Sequence, residues 1–359
     1  MKKILFMGLH RPDRSPSQRY RFEQFQPYLE QHGFIIDYFY IIREQDDIKF
    51  YSSGNYFTKM IILFRSIFKL VIKSFSAHKF DLIFVQREAF MLGTVFFERL
   101  FSRKTRMIYD FDDSIWLQVV SEGNKSLSFL KDANKTSKLI GMADVVFAGN
   151  SFLNNYALKY NSNSKLVPTV VDTDNYSPKT IASIDRVCIG WSGSFSTIPY
   201  FEQVLTALKK IKEKYGDKIY FKVISDKYYF NEELDIYSVI WSSAIEVEEL
   251  SEIDIGIMPL PDDEWTKGKC ALKALLYMSM GQAAVLSPVG VNEGLIEDGV
   301  NGFLARTNEE WVDKLSLLID NTSLRATMGD KARKMVVDQY SVLAHKDVFV
   351  RYISDEILK

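Results

Sequence analysis

The chain lacks an excess of either charge, because its 359 residues include 45 Lys plus Arg and 46 Asp plus Glu. A nucleic-acid-binding surface that extends over a whole protein is strongly basic. The near-neutral balance of charges therefore argues against nucleic acid as a partner. Cysteine is also scarce, since Cys188 and Cys270 are the only two and stand far apart. They match neither a disulfide framework nor a metal cluster, and the sequence therefore predicts a cytosolic protein.

Long uncharged apolar runs are missing as well. Nowhere do about 18 such residues follow one another, as a membrane-spanning helix requires. The first residues, MKKILFMGL, resemble the start of a signal peptide, but their apolar run ends after about six residues, short of the usual ~7 to 15. We interpret this segment as a first β-strand.

What the sequence does contain is a repeated alternation of short apolar runs with longer helical patterns. Runs that are apolar on both faces and are separated by helices are typical of parallel sheets. The predicted strands are 4–8, 35–41, 82–86, 107–112, 145–150, 187–193, 220–225, 253–260 and 283–289. The predicted helices are 18–32, 56–77, 89–101, 126–142, 269–280 and the segment from Ser323 onward. The expected fold class is α/β, with two Rossmann-like parallel-sheet domains that face a central cleft.

The boundary between these domains is predicted near 168–186, a stretch rich in turn-forming residues and poor in periodicity. We predict an amino-terminal domain at 1–175 and a carboxyl-terminal domain at 176–340. A last helix, 341–359, is expected to pack back toward the first domain. Ligands of open parallel sheets bind at the carboxyl ends of the strands, so the loops that follow strands are the candidate sites.

One such loop leads into the stretch KGKCALKALLYMSMG, residues 267–281. If the helix covers 269–280, Lys269 and Lys273 lie one turn apart, and each opposes the helix dipole by ~0.3 to 1 kcal/mol. A bound anion would reverse the sign of both effects, since helix amino termini bind phosphate well. Two interpretations remain open at this point: a diphosphate held by Lys267, Lys269 and Lys273, or solvated lysines with a small local penalty.

Five segments, taken in order, resemble one branch of the retaining glycosyltransferases of the GT-B fold, the large family-four group also called group 1. They are QREAF (86–90), YDFDDSIW (109–116), ADVVFAGNSFLNNYA (143–157), VPTVVDTDNYSP (167–178) and the long run KALLYMSMGQAAVLSPVGVNEGLIEDGVNGFLA (273–305). Each motif alone is weak, but the ordered set covers most of the chain.

This resemblance implies a transferase of the hexosyltransferase type that acts with retention. It implies that 176–340 binds a nucleoside-diphosphate sugar and that 1–175 binds a saccharide or polyprenyl-linked acceptor, in polysaccharide and cell-envelope biosynthesis. No metal ion or other cofactor is expected. The implied location is the cytoplasm, with peripheral attachment to the inner face of the plasma membrane.

The resemblance also assigns residues to the donor. They are Gly193 and Ser194 in the loop after a strand, the three lysines 267, 269 and 273, and the glycine turn of Gly290, Val291, Asn292 and Glu293. Lys269 is in addition a catalytic candidate. An ordinary strand-to-helix turn and a helix cap are the alternatives for the two loops.

The family helix carries a Glu-x7-Glu pair, and its two positions are occupied here by Gly268 and Leu276. Leu276 cannot accept a hydrogen bond from a ribose hydroxyl, so Glu264 or Glu293 would have to replace that contact. The missing carboxylates motivate a second hypothesis, a non-catalytic subunit that partners an active transferase. A nicotinamide-dependent oxidoreductase is disfavoured, because GLHRPDRS after the first strand lacks Gly-x-Gly-x-x-Gly.

In the amino-terminal domain, Arg14, Arg19 and Arg21 are predicted to bind an anionic acceptor, since the guanidinium fork suits phosphate. A solvated loop is the alternative. Asp110 and Asp113 are predicted to orient or deprotonate acceptor hydroxyls without a metal, or else to cap the next helix. His10 also follows the first strand, where a polar loop residue is the commoner explanation.

The segment 56–75 combines a large apolar surface with Lys59, Arg65, Lys69 and Lys73. This composition suits a helix that lies on an anionic membrane surface. A helix beside a parallel sheet also has to bury an apolar stripe, and this second explanation is the more general one.

Overall fold

The computed structural model describes residues 1–117, 128–178 and 186–358. The chain divides into two compact units, residues 1–169 with 346–359, and residues 170–345. Each unit contains its own six-stranded parallel sheet with helices, which confirms the predicted α/β class. The predicted linker at 168–186 and the predicted helix at 126–142 fall partly outside the described residues.

The sheet of the amino-terminal unit has the order β2-β1-β3-β4-β5-β6. Ile4 to Met7 in its first strand are completely buried, as expected for a strand covered by helices on both faces. The strands are β1 Lys2–His10, β2 Phe34–Ile42, β3 Leu82–Gln86, β4 Met107–Phe111, β5 Val145–Ala148 and β6 Ser164–Leu166. Only β6 was not predicted, because it is a short edge strand. The direction of winding reverses between β1 and β3, which opens a crevice at their carboxyl ends.

The helices around this sheet are α1 Pro16–Arg21, α2 Gln26–Gln31, α3 Asp47–Tyr51, α4 Tyr56–Phe75, α5 Phe96–Ser102, α6 Lys135–Met142 and α7 Ser151–Ala157. The single helix predicted at 18–32 is in fact two helices joined by a 3-10 turn, Glu23–Phe25. Pro27 explains the break, because proline is accommodated in the first turn of a new helix and not in the interior of a long one.

The sheet of the carboxyl-terminal unit has the order β12-β11-β10-β7-β8-β9, and its winding reverses between β7 and β10. The strands are β7 Val187–Ser192, β8 Ile219–Ser225, β9 Ile236–Ile240, β10 Ile255–Met258, β11 Ala283–Leu286 and β12 Phe303–Leu304. The sequence did not predict β9 and β12. The former lies at the sheet edge with only one of its five residues buried, and the latter has only two residues.

Its helices are α8 Ile198–Glu202, α9 Leu205–Tyr215, α10 Glu246–Ser251, α11 Glu264–Lys267, α12 Leu272–Ser279, α13 Val291–Leu295, α14 Asn308–Asp320 and α15 Thr322–Gln339. The last helix is α16, Val342–Leu358, whose residues from 346 onward belong to the amino-terminal unit. There Phe349 stacks on Phe25 with 4.1 Å between ring centres. Within the described residues, no helix is both long enough and apolar enough to cross a bilayer.

Candidate functional site

The reversal between β7 and β10 places two loops side by side within the carboxyl-terminal unit. The first loop, 193–197, follows β7 and leads into α8, and the second, 259–271, follows β10 and leads into α12. Carboxyl ends of neighbouring parallel strands lie at the same edge of the sheet, so both loops border one crevice. The lysines singled out in the sequence belong to the second loop and to the helix after it.

Lys273 reaches across from α12 to the β7 side. Its ammonium nitrogen lies 4.0 Å from the centre of the Trp191 ring and 3.3 Å from Thr197 Oγ1. Burial, and then the neighbouring Lys269, lower the pKa of Lys273 well below its usual value, and no carboxylate among the described residues counters them. The charged form of Lys273 is therefore desolvated and disfavoured in the free protein, and an anionic ligand would stabilise it.

Gly193 makes room for this ammonium group. A Cβ at that position would lie 2.4 Å from Lys273 Nζ, so any other residue would displace the lysine. The Gly193 N–H donates to Ile224 O at 3.0 Å, and the prediction that it binds phosphate is therefore wrong. Ser194 is exposed, and its N–H donates to no acceptor in the described part of the chain, which leaves it available to a ligand.

Tyr277 fixes α12 against the sheet one turn after Lys273. Its hydroxyl accepts the Ser192 N–H at 2.8 Å, and its ring is completely buried against Gly256. A Cβ on Gly256 would come within 2.3 Å of that ring. Neither contact was predicted, although the four-residue spacing of Lys273 and Tyr277 was the signal that both share a helix face.

Helix α12 begins at Leu272, not at residue 269 as predicted. Ala271 has φ 56° and ψ 22°, a left-handed conformation that a helix interior does not contain. The three lysines are thus not on one helix: Lys267 ends α11, Lys269 lies between the helices, and Lys273 alone is in the first turn of α12. Two lysines were predicted to oppose the dipole of one helix, but only Lys273 lies in the first turn of α12 and does so.

The other two lysines have different partners. Lys267 Nζ lies 3.4 Å from Asp262 and 3.8 Å from Glu264, so carboxylates already offset part of its charge. Lys269 Nζ lies 5.1 Å from the centre of the Trp265 ring, and its charge contributes to the lowered pKa of Lys273. Lys269 therefore adds positive potential to the crevice.

The glycine turn before α13 packs against this loop. Gly290 has φ 58°, and a Cβ there would lie 3.0 Å from Lys267 O, so both the conformation and the space require glycine. Asn292 is buried, and its Nδ2 donates to Ser287 O at 2.9 Å. This contact gives Asn292 a structural role in place of the predicted donor contact.

The rest of that turn is closer to solvent. Val291 is partly exposed and begins α13, and Glu293 is exposed with its carboxylate 3.5 Å from Arg306. Leu276, at the position of the second family glutamate, is only 3% exposed. Of the two proposed replacements for that carboxylate, Glu264 follows β10 in the loop that contains Lys267, and Glu293 follows β11 in α13.

In the amino-terminal unit, two predicted site residues form an internal ion pair. Arg21 and Asp110 are both buried, and the guanidinium donates to the carboxylate from Nε at 3.2 Å and from Nη2 at 2.5 Å. Burial raises the pKa of Asp110 to about 6, while Arg21 opposes the rise. A side chain sealed in this way cannot touch an acceptor, so the assignments of Arg21 to acceptor binding and of Asp110 to catalysis are replaced by a structural role.

The remaining predicted residues of this unit lie near the carboxyl ends of its strands, and each has an ionic partner. Arg14 Nε lies 2.9 Å from Asp47, and Arg19 Nε lies 3.0 Å from Asp13. Asp113 accepts a hydrogen bond from Arg87 Nη2 at 2.8 Å. The loop arginines and Asp113 are thus already engaged in salt bridges.

Arg87 was not predicted, although it connects the ends of β3 and β4. It has φ 62°, a strained value for a residue other than glycine, and its side chain also contacts Ser17 Oγ at 3.3 Å. Burial opposes its charge, but Asp112 and Asp113 raise the pKa of Arg87 above its usual value. No local sequence signal marks a left-handed arginine, since only the tertiary contacts impose it.

His10 ends β1 beside these groups. Its Nε2 forms a hydrogen bond with the Tyr51 hydroxyl at 2.9 Å, and its Nδ1 has no hydrogen-bond partner among the described residues. Burial, and then Arg14, lower the pKa of His10 to about 4. The imidazole is therefore neutral at neutral pH.

Comparison with known proteins agrees with this architecture. Residues 186–321 match the family model described as glycosyl transferases group 1. The chain is 24% identical over 305 residues to MJ1069, an uncharacterized glycosyltransferase of Methanocaldococcus jannaschii, with 77% of this chain and 76% of the relative covered.

Two solved structures show the same fold at low identity. Sucrose-phosphate synthase from Thermosynechococcus elongatus has a TM-score of 0.73 at 12% identity, with 99% of each chain covered. Anabaena HepE, solved in complex with UDP-glucose, has a TM-score of 0.66 at 15% identity, covering 99% of this chain and 100% of its own. The family match of residues 186–321 and the fold of the whole chain support a glycosyltransferase of the GT-B fold.

Proposed function

We propose that the carboxyl-terminal unit binds a nucleoside-diphosphate sugar, and that the protein transfers its sugar, with retention, to a saccharide or polyprenyl-linked acceptor of cell-envelope polysaccharide synthesis. The observation that carries the proposal is the Lys273 ammonium, which is desolvated at the reversal point of the sheet and has no carboxylate beside it in the part of the chain that the structure describes. The complex of the structurally similar HepE with UDP-glucose supports this class of donor. The scarcity of cysteine supports a cytoplasmic location.

The diphosphate is placed between Lys273 and the free N–H of Ser194. Its negative charge would stabilise the desolvated ammonium and restore the pKa that burial and Lys269 lower. As the bond to the sugar breaks, charge builds on the departing diphosphate, and the two lysines would stabilise it. In this proposal Lys269 and Lys273 take the part that a metal ion plays in other enzymes, and no cofactor is needed.

A second candidate function is a non-catalytic subunit of the same fold. It is favoured by one specific observation, the absence of a carboxylate at Gly268 and at Leu276, the second of which is buried. Such a subunit would keep the architecture without turning over a donor.

Isothermal titration with UDP and GDP, followed by a panel of sugar nucleotides tested for hydrolysis, separates the two functions. We expect one of the two nucleotides to bind, and at least one sugar nucleotide of that base to be hydrolysed slowly in the absence of acceptor. Absence of binding to both nucleotides would contradict the donor site. Binding without hydrolysis or transfer by any sugar nucleotide would favour the subunit.

A further inference from the structure

A groove opens on the carboxyl-terminal unit between the junction of α8 with α9 and the start of α14. Helices α9 and α14 are neighbours there, since Lys214 Nζ donates to Ser316 Oγ at 3.0 Å. The groove has a volume of about 330 Å³, within the ~300 to 1,000 Å³ of small-molecule sites. It is called here the α14 groove, and the lining side chains that matter below are Gln203, Leu260, Arg306, Asn308, Glu309 and Trp311.

The α14 groove is distinct from the crevice that contains Lys273. That crevice lies where the winding of the sheet reverses, between β7 and β10, whereas the groove is bordered by the loops that follow β10, β11 and β12. Neither Ser194 nor any of the lysines 267, 269 and 273 lines it. A ligand in the groove would therefore bind without displacing one held at Lys273.

Trp311, in the first turn of α14, presents an unused hydrogen-bond donor to the groove. The side chain is only 2% exposed, yet its indole N–H donates to no acceptor in the part of the chain that the structure describes. Buried polar groups normally have a partner. Unlike that of Trp191, the Trp311 nitrogen is not fully shielded, and the groove that Trp311 lines is the space it faces. This donor therefore points to a ligand with an acceptor atom.

Two side-chain amides border the same space. Gln203 is exposed and Asn308 is half-buried, and neither amide forms a hydrogen bond with another described residue. Each amide has both donor and acceptor atoms. Val204 and Leu260 are buried in the wall of the groove and supply apolar surface. The groove thus combines donors, acceptors and an apolar wall.

The charged groups at the groove are balanced. Arg306 and Glu309 both line it, and each has an opposite charge nearby. Arg306 Nη2 lies 3.5 Å from Glu293, and the Glu309 carboxylate lies 3.8 Å from Lys210 Nζ. Neither an anion nor a cation would find an excess of opposite charge there. The groove therefore favours a neutral ligand whose polar groups both donate and accept.

We propose that the α14 groove binds a neutral saccharide unit, at a site separate from that of the nucleotide. The sugar hydroxyls would accept from the Trp311 N–H and exchange hydrogen bonds with the amides of Gln203 and Asn308. The C–H surface of the sugar ring would pack on Val204 and Leu260. This site goes beyond the proposed transfer reaction and does not rest on it.

The test is nuclear magnetic resonance of the indole N–H groups in the full-length protein. The chain has five tryptophans, and Trp311→Phe assigns the signal of Trp311. The probes are glucose, galactose, mannose, N-acetylglucosamine, maltose and cellobiose, each titrated with and without an excess of UDP. The variant combines Gln203→Ala with Asn308→Ala, and folding should be unaffected because neither amide has a partner to lose among the described residues. Gln45→Ala, at an exposed amide of the amino-terminal unit, is the matched control.

We expect at least one saccharide to shift the Trp311 signal in a saturable way, equally with and without UDP. The double variant should bind that saccharide at least about tenfold more weakly, because two hydrogen-bonding amides are lost, and the control should match the parent. The absence of a saturable shift with every probe, or equal affinity in the double variant, would overturn the proposal.

Competition with UDP separates this site from the proposed donor site. If excess UDP abolished the shift, the saccharide would occupy the donor crevice and the α14 groove would not be its site. UDP itself should bind the double variant as it binds the parent, and a weaker affinity would contradict the separation of the two sites. A protein that binds saccharide at Trp311 but no UDP would retain this site and lose the proposed donor site.

Discussion

The two units have the same architecture, but they differ in whether the basic side chains at the carboxyl ends of their strands have carboxylate partners. In the amino-terminal unit, Arg14, Arg19, Arg21 and Arg87 each lie within salt-bridge distance of an aspartate. In the carboxyl-terminal unit, Lys273 has an aromatic ring and a hydroxyl for neighbours, and no carboxylate offsets its charge among the residues that the structure describes.

We interpret the paired arginines as cations that stabilise the fold, and the lysine that lacks a carboxylate as a cation that can bind an anionic ligand. A buried ion pair contributes specificity and is damaged when one partner is removed. A desolvated cation without a counterion destabilises the free protein and gains most when an anion binds. Three experiments can break or sharpen the comparison.

The largest effect is expected for Asp110→Asn. It removes the Asp110 carboxylate from the buried Arg21 guanidinium, which should lower the free energy of unfolding by about 3 to 5 kcal/mol in urea. The control is Asp37→Asn, because Asp37 pairs with Lys73 at the surface and should contribute less than about 1 kcal/mol. Equal losses in the two variants would show that the internal pair stabilises the unit no more than a surface pair does.

The next effect concerns the ligand and not the fold. Lys273→Met should weaken UDP or GDP binding in isothermal titration by about 1.5 to 3 kcal/mol, the range for a hydrogen bond to a charged group. The ligand-free variant should be no less stable than the parent, since the change removes a desolvated charge.

Lys314→Met is the matched control for that experiment. Lys314 also lies over an aromatic ring, 4.6 Å from the centre of Phe303, but it has Asp298 at 3.2 Å. Nucleotide affinity should be unchanged in this variant. If both variants bind nucleotide like the parent, the uncompensated lysine is not a diphosphate site.

Lys269→Ala should also weaken nucleotide binding, as Lys273→Met does, because the charge of Lys269 reaches the same crevice.

The smallest effect is a pH dependence in the amino-terminal unit. The pKa of His10 is about 4 in the folded protein and ~6.5 in an unfolded chain, so below pH 6.5 the unfolded state binds a proton that the folded state does not. Stability should therefore fall as the pH decreases from about 6.5 to 4. His10→Gln should reduce that fall without changing the slope above pH 7. Urea unfolding at a series of pH values measures it, and parallel curves would rule out a neutral, desolvated His10.

Much of the fold could be predicted because its signals are local. Strands such as β3 and β4 are apolar on both faces, and their boundaries follow from the run itself. Prediction failed for β9, an edge strand with a single buried residue, and at Ala271, whose left-handed backbone interrupts an otherwise continuous helical pattern. Neither amino-acid composition nor hydrophobic periodicity predicts the backbone angle of a single residue when neighbouring loops impose that angle.

The candidate site was predictable in place but not in detail. Lys273 follows from its position after a strand and from the four-residue spacing with Tyr277. Its contact with Trp191, and the space that Gly193 provides, join residues about eighty positions apart, which no local pattern encodes. The same holds for Arg21 and Asp110, whose charges suggested a binding surface and proved to be an internal pair.

The amino-acid sequence by itself determined that this chain forms two parallel sheets and which loops lie at their ligand-binding edges, since hydrophobic periodicity acts over a few residues and strand-to-strand connections have one common hand. Only the tertiary structure decided which cations find a carboxylate, and which side of α4 faces the solvent. Ion pairing and helix orientation depend on distances between segments far apart in the chain, and those distances exist only after folding.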